Sequence, residues 1–494
     1  MLLEDADAYR ERKEAFVSGL AGTTMLELVL VSTPIPMGMW LLAEAKALLG
    51  GCENPSIRTL GWSGFVVEML AVIFPAAASL VWPSQIITIV LSMAFASAFC
   101  RLQRSFLTTP SAKPGRSLDA DQGKSSRWPM MNCVTNIRAS IMLITCVTIL
   151  AVDFQASTSH KILRRATQVF PRRFAKTEIF GTGLMDLGVG ATIFASGLAS
   201  GCKTKPQSEH PKLGWCVCRT MLVETSSAAV RAWPLAALGV SRLVVIKGLG
   251  YQEHVSEYGV HWNFFATLFF MRLVVVPMNR VFSARFRYYL ALVAICVYQW
   301  LLVNKGLSDF IVHAPRDSLF SMNREGVLGL LGFVAIYYIA SELGSQISPQ
   351  RQKSDKERAD PRFFSRSVVI TGRAIAMLWG LTLFSEAFVQ QTSRRMVNLT
   401  YVLWVCAHSM LMLGLLMLVD NVSLRRPTSR ILAAINLNMF PVFMVANLAT
   451  GAVNVSMRTL DAETPTAIAI LAIYVTLVAG FAAALSNRGL TIKV

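Results

Sequence analysis

Long apolar runs alternate with short polar joints over almost the whole chain. A helix needs about 20 apolar residues to cross the hydrocarbon of a bilayer. Runs of that kind fall near residues 22–45, 61–81, 83–100, 132–152, 180–200, 226–246, 261–279, 287–304, 324–345, 367–388, 398–419, 430–449 and 466–485. The pattern predicts an all-α polytopic membrane protein of about thirteen transmembrane helices in a single bundle, one multi-pass domain over residues 1–494. The second and third runs are divided by Trp82-Pro83-Ser84 alone. No internal repeat stands out.

Composition sharpens this picture. The 494 residues are 54% hydrophobic and 15% charged, whereas soluble domains carry roughly a quarter charged residues. The net charge is +18. In a soluble protein that excess would point to nucleic acid, but no nucleic-acid-binding module is visible. In a membrane protein, Lys and Arg collect in cytoplasmic loops and meet anionic lipid headgroups. One set of alternate loops is basic, through Arg101 to Arg127, Lys203 to Arg219, Arg280 to Arg287, Arg351 to Arg362 and Arg425 to Arg430. With these loops cytoplasmic, the N-terminus is lumenal and the C-terminus cytoplasmic. Loops 153–179, 247–260, 305–323, 389–397 and 450–465 then share the lumenal side, where their polar groups can converge. The nine Cys form no CxxC pair and read as small residues of apolar runs, and no metal site is expected. No cleavable signal is apparent.

The densest set of ionisable groups beside a span lies between Asp153 and Gly190. Asp153 ends the fourth apolar run, and Phe170-Pro171-Arg172-Arg173-Phe174-Ala175-Lys176-Thr177-Glu178 follows. A carboxylate at a span end is partly desolvated and becomes a stronger base; a nearby Lys offsets this. Such a pair suits acyl transfer, one group taking a proton from a hydroxyl and the other stabilising charge on a carbonyl oxygen. The same residues also read as a helix end in water with Arg172, Arg173 and Lys176 on lipid phosphate. In Gly250 to Asn263, helical spacing would set His254, Glu257 and His261 on one face as a polar network. The alternative there is an interfacial belt of Tyr251, Tyr258 and Trp262. Asn323 and Glu325 suit the first turn of a helix, while Arg324 at a membrane boundary suits a phosphate. Arg394 and Arg395 run against the basic-inside trend; a substrate phosphodiester or a lipid headgroup accounts for them equally. Asp186 is one of several charges within spans, and each costs about 2.5–3.5 kcal/mol if unpaired at the bilayer centre. Among the glycosylation sequons, Asn454-Val455-Ser456 is the one best placed for use.

Several of these stretches resemble one family. They are Arg12 to Leu20, Ile149 to Phe154, Phe170 to Glu178, Leu184 to Gly190, His254 to Phe265, Asn323-Arg324-Glu325-Gly326, Ser393 to Trp404 and Asn447 to Gly451. In this order they are similar to the inositol acyltransferases of GPI-anchor biosynthesis, of the GPI-anchored wall transfer protein and PIG-W type. The resemblance implies a multi-pass enzyme of the endoplasmic-reticulum membrane, in contact with membrane lipid. Its activity would move a fatty acyl chain, typically palmitoyl, from acyl-CoA to the inositol of glucosaminyl-phosphatidylinositol. No bound cofactor is implied; palmitoyl-CoA is a co-substrate. By motif match the catalytic pair falls on Asp153 and Lys176. Arg172, Arg173, Arg324, Arg394 and Arg395 become candidates for phosphate. Asp186, His254, Glu257, His261, Asn263, Asn323 and Glu325 complete the expected substrate-binding set.

The chain departs from the family in one place. A polar, basic insertion at 155–168 separates Asp153 from Phe170. It reads as a loop that bulges out or as unspliced sequence retained in a gene prediction. The rival function on the residues alone is a multi-pass lipid transporter or flippase, which would also carry buried charges; the two related halves common in transporters are not evident here.

Overall fold

The computed structural model describes residues 2–48, 61–107, 129–154, 171–203, 215–248, 255–347, 361–423 and 429–492. The insertion at 155–168 and His254 lie outside them. The described chain is helical, and no strand forms among these residues. In chain order the helices are α1 (Leu2–Val17), α2 (Met25–Ser32), α3 (Pro34–Leu48), α4 (Trp62–Glu68), α5 (Phe74–Val81), α6 (Ile86–Leu107) and α7 (Pro129–Ala151). There follow α8 (Leu184–Lys203), α9 (Trp215–Gly248), the single turn α10 (Val255–Tyr258), α11 (Phe264–Val281), α12 (Ala284–Asn304), α13 (Leu307–His313) and α14 (Leu319–Met322). The last are α15 (Arg324–Ile347), α16 (Pro361–Phe388), α17 (Leu399–Val422), α18 (Arg430–Leu437), α19 (Met439–Ser456) and α20 (Thr464–Asn487).

Among the described residues, twelve helical stretches are long and apolar enough to cross a membrane, and each overlaps a predicted span. The thirteenth prediction, 226–246, falls inside α9. That helix carries Arg231, Arg242 and Pro234, which make it less apolar than the rest. Local sequence explains most irregularities. Between α4 and α5 the helix widens into a π turn at Met69–Ile73, just before Pro75. Proline has no N–H and crowds the preceding turn, and a widened turn relieves both. The predicted span 430–449 is two helices broken at Asn438. There the Asn438 side chain donates to Leu490 O (3.1 Å) and accepts from Ile492 N (3.0 Å).

The chain divides into two compact units. The first comprises Met1–Thr23, Ala175–Met410 and Val494; the second comprises Thr24–Phe174 and Leu411–Lys493. In the first, α8 and α15 run together along a seam of small residues. A Cβ on Gly197 would strike Tyr337 O, one on Gly201 would strike Ser341 O, and one on Gly344 would strike Leu198 O. Close backbone approach of this kind is how helices gain packing energy in lipid, where burial of apolar surface gives little. α9 packs on α11, and α15 also receives α12, α11 and α16.

In the second unit α3 lies on α6, while α18 packs on α7 and α20 and α19 on α7. Its deepest charge is Glu68, wholly buried. That carboxylate accepts from Ser429 Oγ (2.8 Å), Ile431 N (2.9 Å) and Arg430 N (3.1 Å), and pairs with Lys46 Nζ (3.2 Å). It thus sits on the unsatisfied N–H groups at the start of α18, where the helix dipole favours an anion. On α6, Ile87, Leu91, Phe95, Phe99, Leu102 and Phe106 form an exposed apolar stripe, as expected of a face turned to lipid. Of the cysteines expected to be buried, Cys146 and Cys406 are so, Cys100 is half-buried, and Cys296 lies on the exposed side of α12.

Replacing Gly201 by Val is expected to lower the thermal midpoint in detergent, by about 1–3 kcal/mol of overpacking. Gly380→Ala, where a Cβ meets nothing, should leave the midpoint in place. Equal midpoints for both variants would contradict the seam.

Candidate functional site

The first unit gathers ionisable side chains from four loops. Its N-terminal segment is laced to the loop after Ala175. Glu178 Oε1 accepts from Gly19 N (2.8 Å), Glu178 N donates to Leu20 O (3.2 Å), and Thr23 N donates to Thr182 O (2.7 Å). Gly22 has φ +80°, and any Cβ there would strike Thr182 O; only glycine fits this crossing.

Asp186, in the first turn of α8, is fully buried. Its Oδ2 accepts from Thr177 Oγ1 (2.9 Å), Thr177 N (3.1 Å) and Gly183 N (3.0 Å). These bonds hold the backbone immediately after Lys176. Lys176 Nζ donates to Glu257 Oε2 at 2.5 Å. Glu257 Oε1 accepts from Arg394 Nη2 at 2.8 Å, and the Arg394 guanidinium lies 4.7 Å over the Tyr258 ring. One carboxylate therefore bridges two cations. Arg394 Nε points at Asp186 Oδ1 from 3.8 Å, and neither atom has a hydrogen-bond partner.

The charge states follow from this packing. Burial pushes the Lys176 amine below its ordinary value; Glu257 opposes this, while Arg394 and Arg242 reinforce it. Burial alone would raise the Glu257 carboxyl, but Lys176 and Arg394 outweigh burial and hold it down to about 2. Burial raises the Tyr258 phenol to about 12. Arg394 rises above its ordinary value despite burial, because Tyr258, Glu257 and Asp186 surround it. The bridge thus loses its anion only as pH falls toward about 2, and its lysine charge as pH rises through a value below the ordinary one.

A second cluster lies beside the first on the same loops. Glu325, with no exposed side-chain surface, pairs with Arg316 and accepts from Arg395 Nη2 (3.1 Å). Arg324 is spent on the end of α13. Its Nε donates to Ile311 O (2.8 Å) and its Nη1 to Ala314 O (2.7 Å) and Pro315 O (3.2 Å). A buried guanidinium here satisfies carbonyls that the short helix leaves open.

Asn323 Oδ1 accepts from His261 N (2.8 Å), while the His261 side chain is exposed. Asn263 caps α11, accepting from Ala266 N (3.1 Å) and donating to Gly239 O (2.9 Å). The shared face expected of Glu257 and His261 does not form. Gly259 takes φ +111° against Met322 O and Asn323 Cα, which ends the turn after Tyr258.

The loop before α17 is strained. Val397 has φ 49°, a costly conformation for a β-branched residue, of order 1–3 kcal/mol. It persists because the Val397 side chain fills the space over Gly329 and Gly332. Asn398 closes the loop, accepting from Ser393 N (3.1 Å) and donating to Gln391 O (2.8 Å). This fixes Arg394 and Arg395 between two pinned ends.

The second unit holds Asp153, Arg172 and Arg173. Asp153 follows the last turn of α7, and its Oδ2 accepts from Asn454 Nδ2 at 2.8 Å. Arg172 Nη1 donates to Val152 O (2.7 Å); burial lowers this guanidinium's pKa, and the Asp153 charge opposes the shift. Arg173 forms a two-pronged pair with Glu27, through Nη2 (2.7 Å) and Nε (3.0 Å). That pair accounts for the carboxylate of α2. Asn454 entered the sequence reading only as a sequon. Its placement in loop 450–465, expected on the same side as Asp153, was the one available signal.

The family model named GWT1 matches residues 9–485. The chain belongs to the GWT1 family. Among its relatives is GPI-anchored wall transfer protein 1 of Emericella nidulans, 33% identical over 98% of this chain and 99% of that protein. The protein of the same name from Aspergillus oryzae is 34% identical over 98% and 99%. The phosphatidylinositol-glycan biosynthesis class W protein of Dictyostelium discoideum is 28% identical over 99% of both chains. The GWT1 match spans both clusters of the first unit and the Asp153 cluster of the second.

The Lys176 assignment can be measured without any substrate. Acetylation of Lys176 by a small reagent, followed by peptide mass spectrometry across pH, is expected to show a midpoint below the ordinary lysine value of about 10.4. In Glu257→Gln, which removes the opposing anion, the midpoint should fall further. A midpoint at the ordinary value in both proteins would contradict the electrostatic picture.

Proposed function

We propose that this chain works in GPI-anchor biosynthesis as the acyltransferase that moves a fatty acyl group, palmitoyl in the first instance, from acyl-CoA to the inositol of glucosaminyl-phosphatidylinositol. The observation that carries the reading is family membership over residues 9–485; within it we take Asp153 and Lys176 as the acid–base pair, as the motif resemblance implies. The names of the relatives, in GPI-anchored wall transfer and phosphatidylinositol-glycan biosynthesis, support the pathway. The setting is the endoplasmic-reticulum membrane, N-terminus lumenal and C-terminus cytoplasmic.

In this reading Asp153 takes the proton of an inositol hydroxyl as its oxygen attacks the thioester carbon. A C–O bond forms, the C–S bond breaks, and the proton passes to the departing CoA sulfur. The Lys176 ammonium stabilises the charge that develops on the carbonyl oxygen. The ion pair to Glu257 supports that role by holding the ammonium in one place. For the lipid phosphodiester we favour Arg394 and Arg395 on the loop before α17, where Arg394 is paired with Glu257 and Asp186 and Arg395 with Glu325; Arg172, Arg173 and Arg324 donate to Val152 O, Glu27 and the end of α13. Acyl-CoA is a co-substrate, and the reaction needs no resident cofactor.

Membranes containing this protein, given labelled palmitoyl-CoA and glucosaminyl-phosphatidylinositol, are expected to yield acylated lipid. Asp153→Asn and Lys176→Ala should each lower transfer by about 10²–10⁴-fold at unchanged expression. Translocation of unmodified lipid, with no acylated product, would replace this reading with a flippase.

A further inference from the structure

We infer that Asn454 is a positioning residue for Asp153. The inference rests on the proposed role of Asp153 as the base. Asn454 lies in the last turn of α19, which packs against α7. Its Nδ2 donates to Asp153 Oδ2 at 2.8 Å and to Thr450 O at 3.2 Å. Its Oδ1 accepts from Thr459 Oγ1 at 3.4 Å, and Thr459 is wholly buried.

This pattern decides which way the amide points. A main-chain carbonyl can only accept, so the atom facing Thr450 O is the NH2 group. The same nitrogen then meets Asp153. Asn454 therefore offers the carboxylate a donor and cannot offer it an acceptor.

The consequence is orientational. Asp153 sits just past the end of α7, and the Asn454 amide bonds one of its carboxylate oxygens. A bond from a fixed amide to Oδ2 sets the plane of the carboxylate. General-base catalysis needs the lone pair held along the line of the incoming proton. Arg172 bonds the neighbouring Val152 carbonyl and interacts electrostatically with Asp153. Both N–H groups of Nδ2 are engaged, so a glycan on Asn454 is incompatible with this arrangement although Asn454-Val455-Ser456 is a sequon.

The test compares purified full-length variants in the acyl-transfer assay, with thermal unfolding as a control. Asn454→Ala is expected to lower kcat by about 10–100-fold, the worth of a hydrogen bond to a charged group, with KM for both substrates little changed. Ser456→Ala removes the sequon and leaves the amide, and should keep full activity. Asn454→Asp sets a second carboxylate against Asp153. The acid limb of its kcat profile should move to higher pH, because like charges this close do not both ionise. Arg172 and Tyr474, which interact electrostatically with Asp153, are common to all the variants. Glycopeptide mapping should find residue 454 bare.

Wild-type kcat in Asn454→Ala, alongside an inactive Asp153→Asn, overturns this inference and leaves the proposed function standing. Equal losses in Ser456→Ala and Asn454→Ala, or a glycan at 454, also overturn it. Full activity in Asp153→Asn instead removes the premise. Should Asn454→Ala fail to fold, the acid limb of Asn454→Asp decides: no movement overturns the inference.

Discussion

A single carboxylate keeps a buried guanidinium and a partly exposed amine together. Without Glu257, Lys176 and Arg394 would repel each other in surroundings where water screens poorly. With it, the loop after Ala175, the turn at Val255–Tyr258 and the loop before α17 are tied at one point. The geometry around that point is rigid on every side. Asp186 holds the backbone beside Lys176, Gly259 ends the turn that presents Glu257, and Val397 accepts a strained backbone so that Arg394 can point inward. Local strain of this kind is tolerated where surrounding contacts over-determine it, and here the contacts are Gly329, Gly332 and Asn398.

The arginines show how a membrane fold divides its positive charge. On sequence alone, five of them were equivalent candidates for phosphate. Three donate to structural acceptors: Arg172 to the chain end of α7, Arg173 to Glu27 and Arg324 to the open carbonyls of α13. Guanidinium suits such duty because its fork of donors can satisfy several acceptors at once. Arg394 is held by Glu257 and faces Asp186 as well, and Arg395 is held by Glu325.

The spans were legible because apolar length is a strong and local signal. Every predicted run corresponds to helix, the run within α9 included, although Arg231 and Arg242 interrupt its apolar character. Breaks were less legible. Pro75 and Asn438 act through hydrogen bonds to partners that a one-dimensional pattern does not contain. At the site, the expectation that mixed loops converge holds within each unit: 175–183, 255–261, 316–325 and 393–398 in the first, 153 and 454 in the second. Helical spacing failed for His261 because one glycine redirects the chain. Asn454 was hidden for a different reason. A sequon states which residues neighbour one another along the chain, whereas this amide acts across some 300 positions.

The glycine seam between α8 and α15 carries its own implication. Where backbones touch, there are no side chains to rotate out of the way, so those two helices cannot part by degrees. In the first unit, α9 and α11 are each interrupted by a proline, at Pro234 and Pro277, and each has lost a rung of its internal ladder there. The two pairs therefore differ in kind: one is closed by touching backbones, the other leaves an open hydrogen-bond rung in each helix.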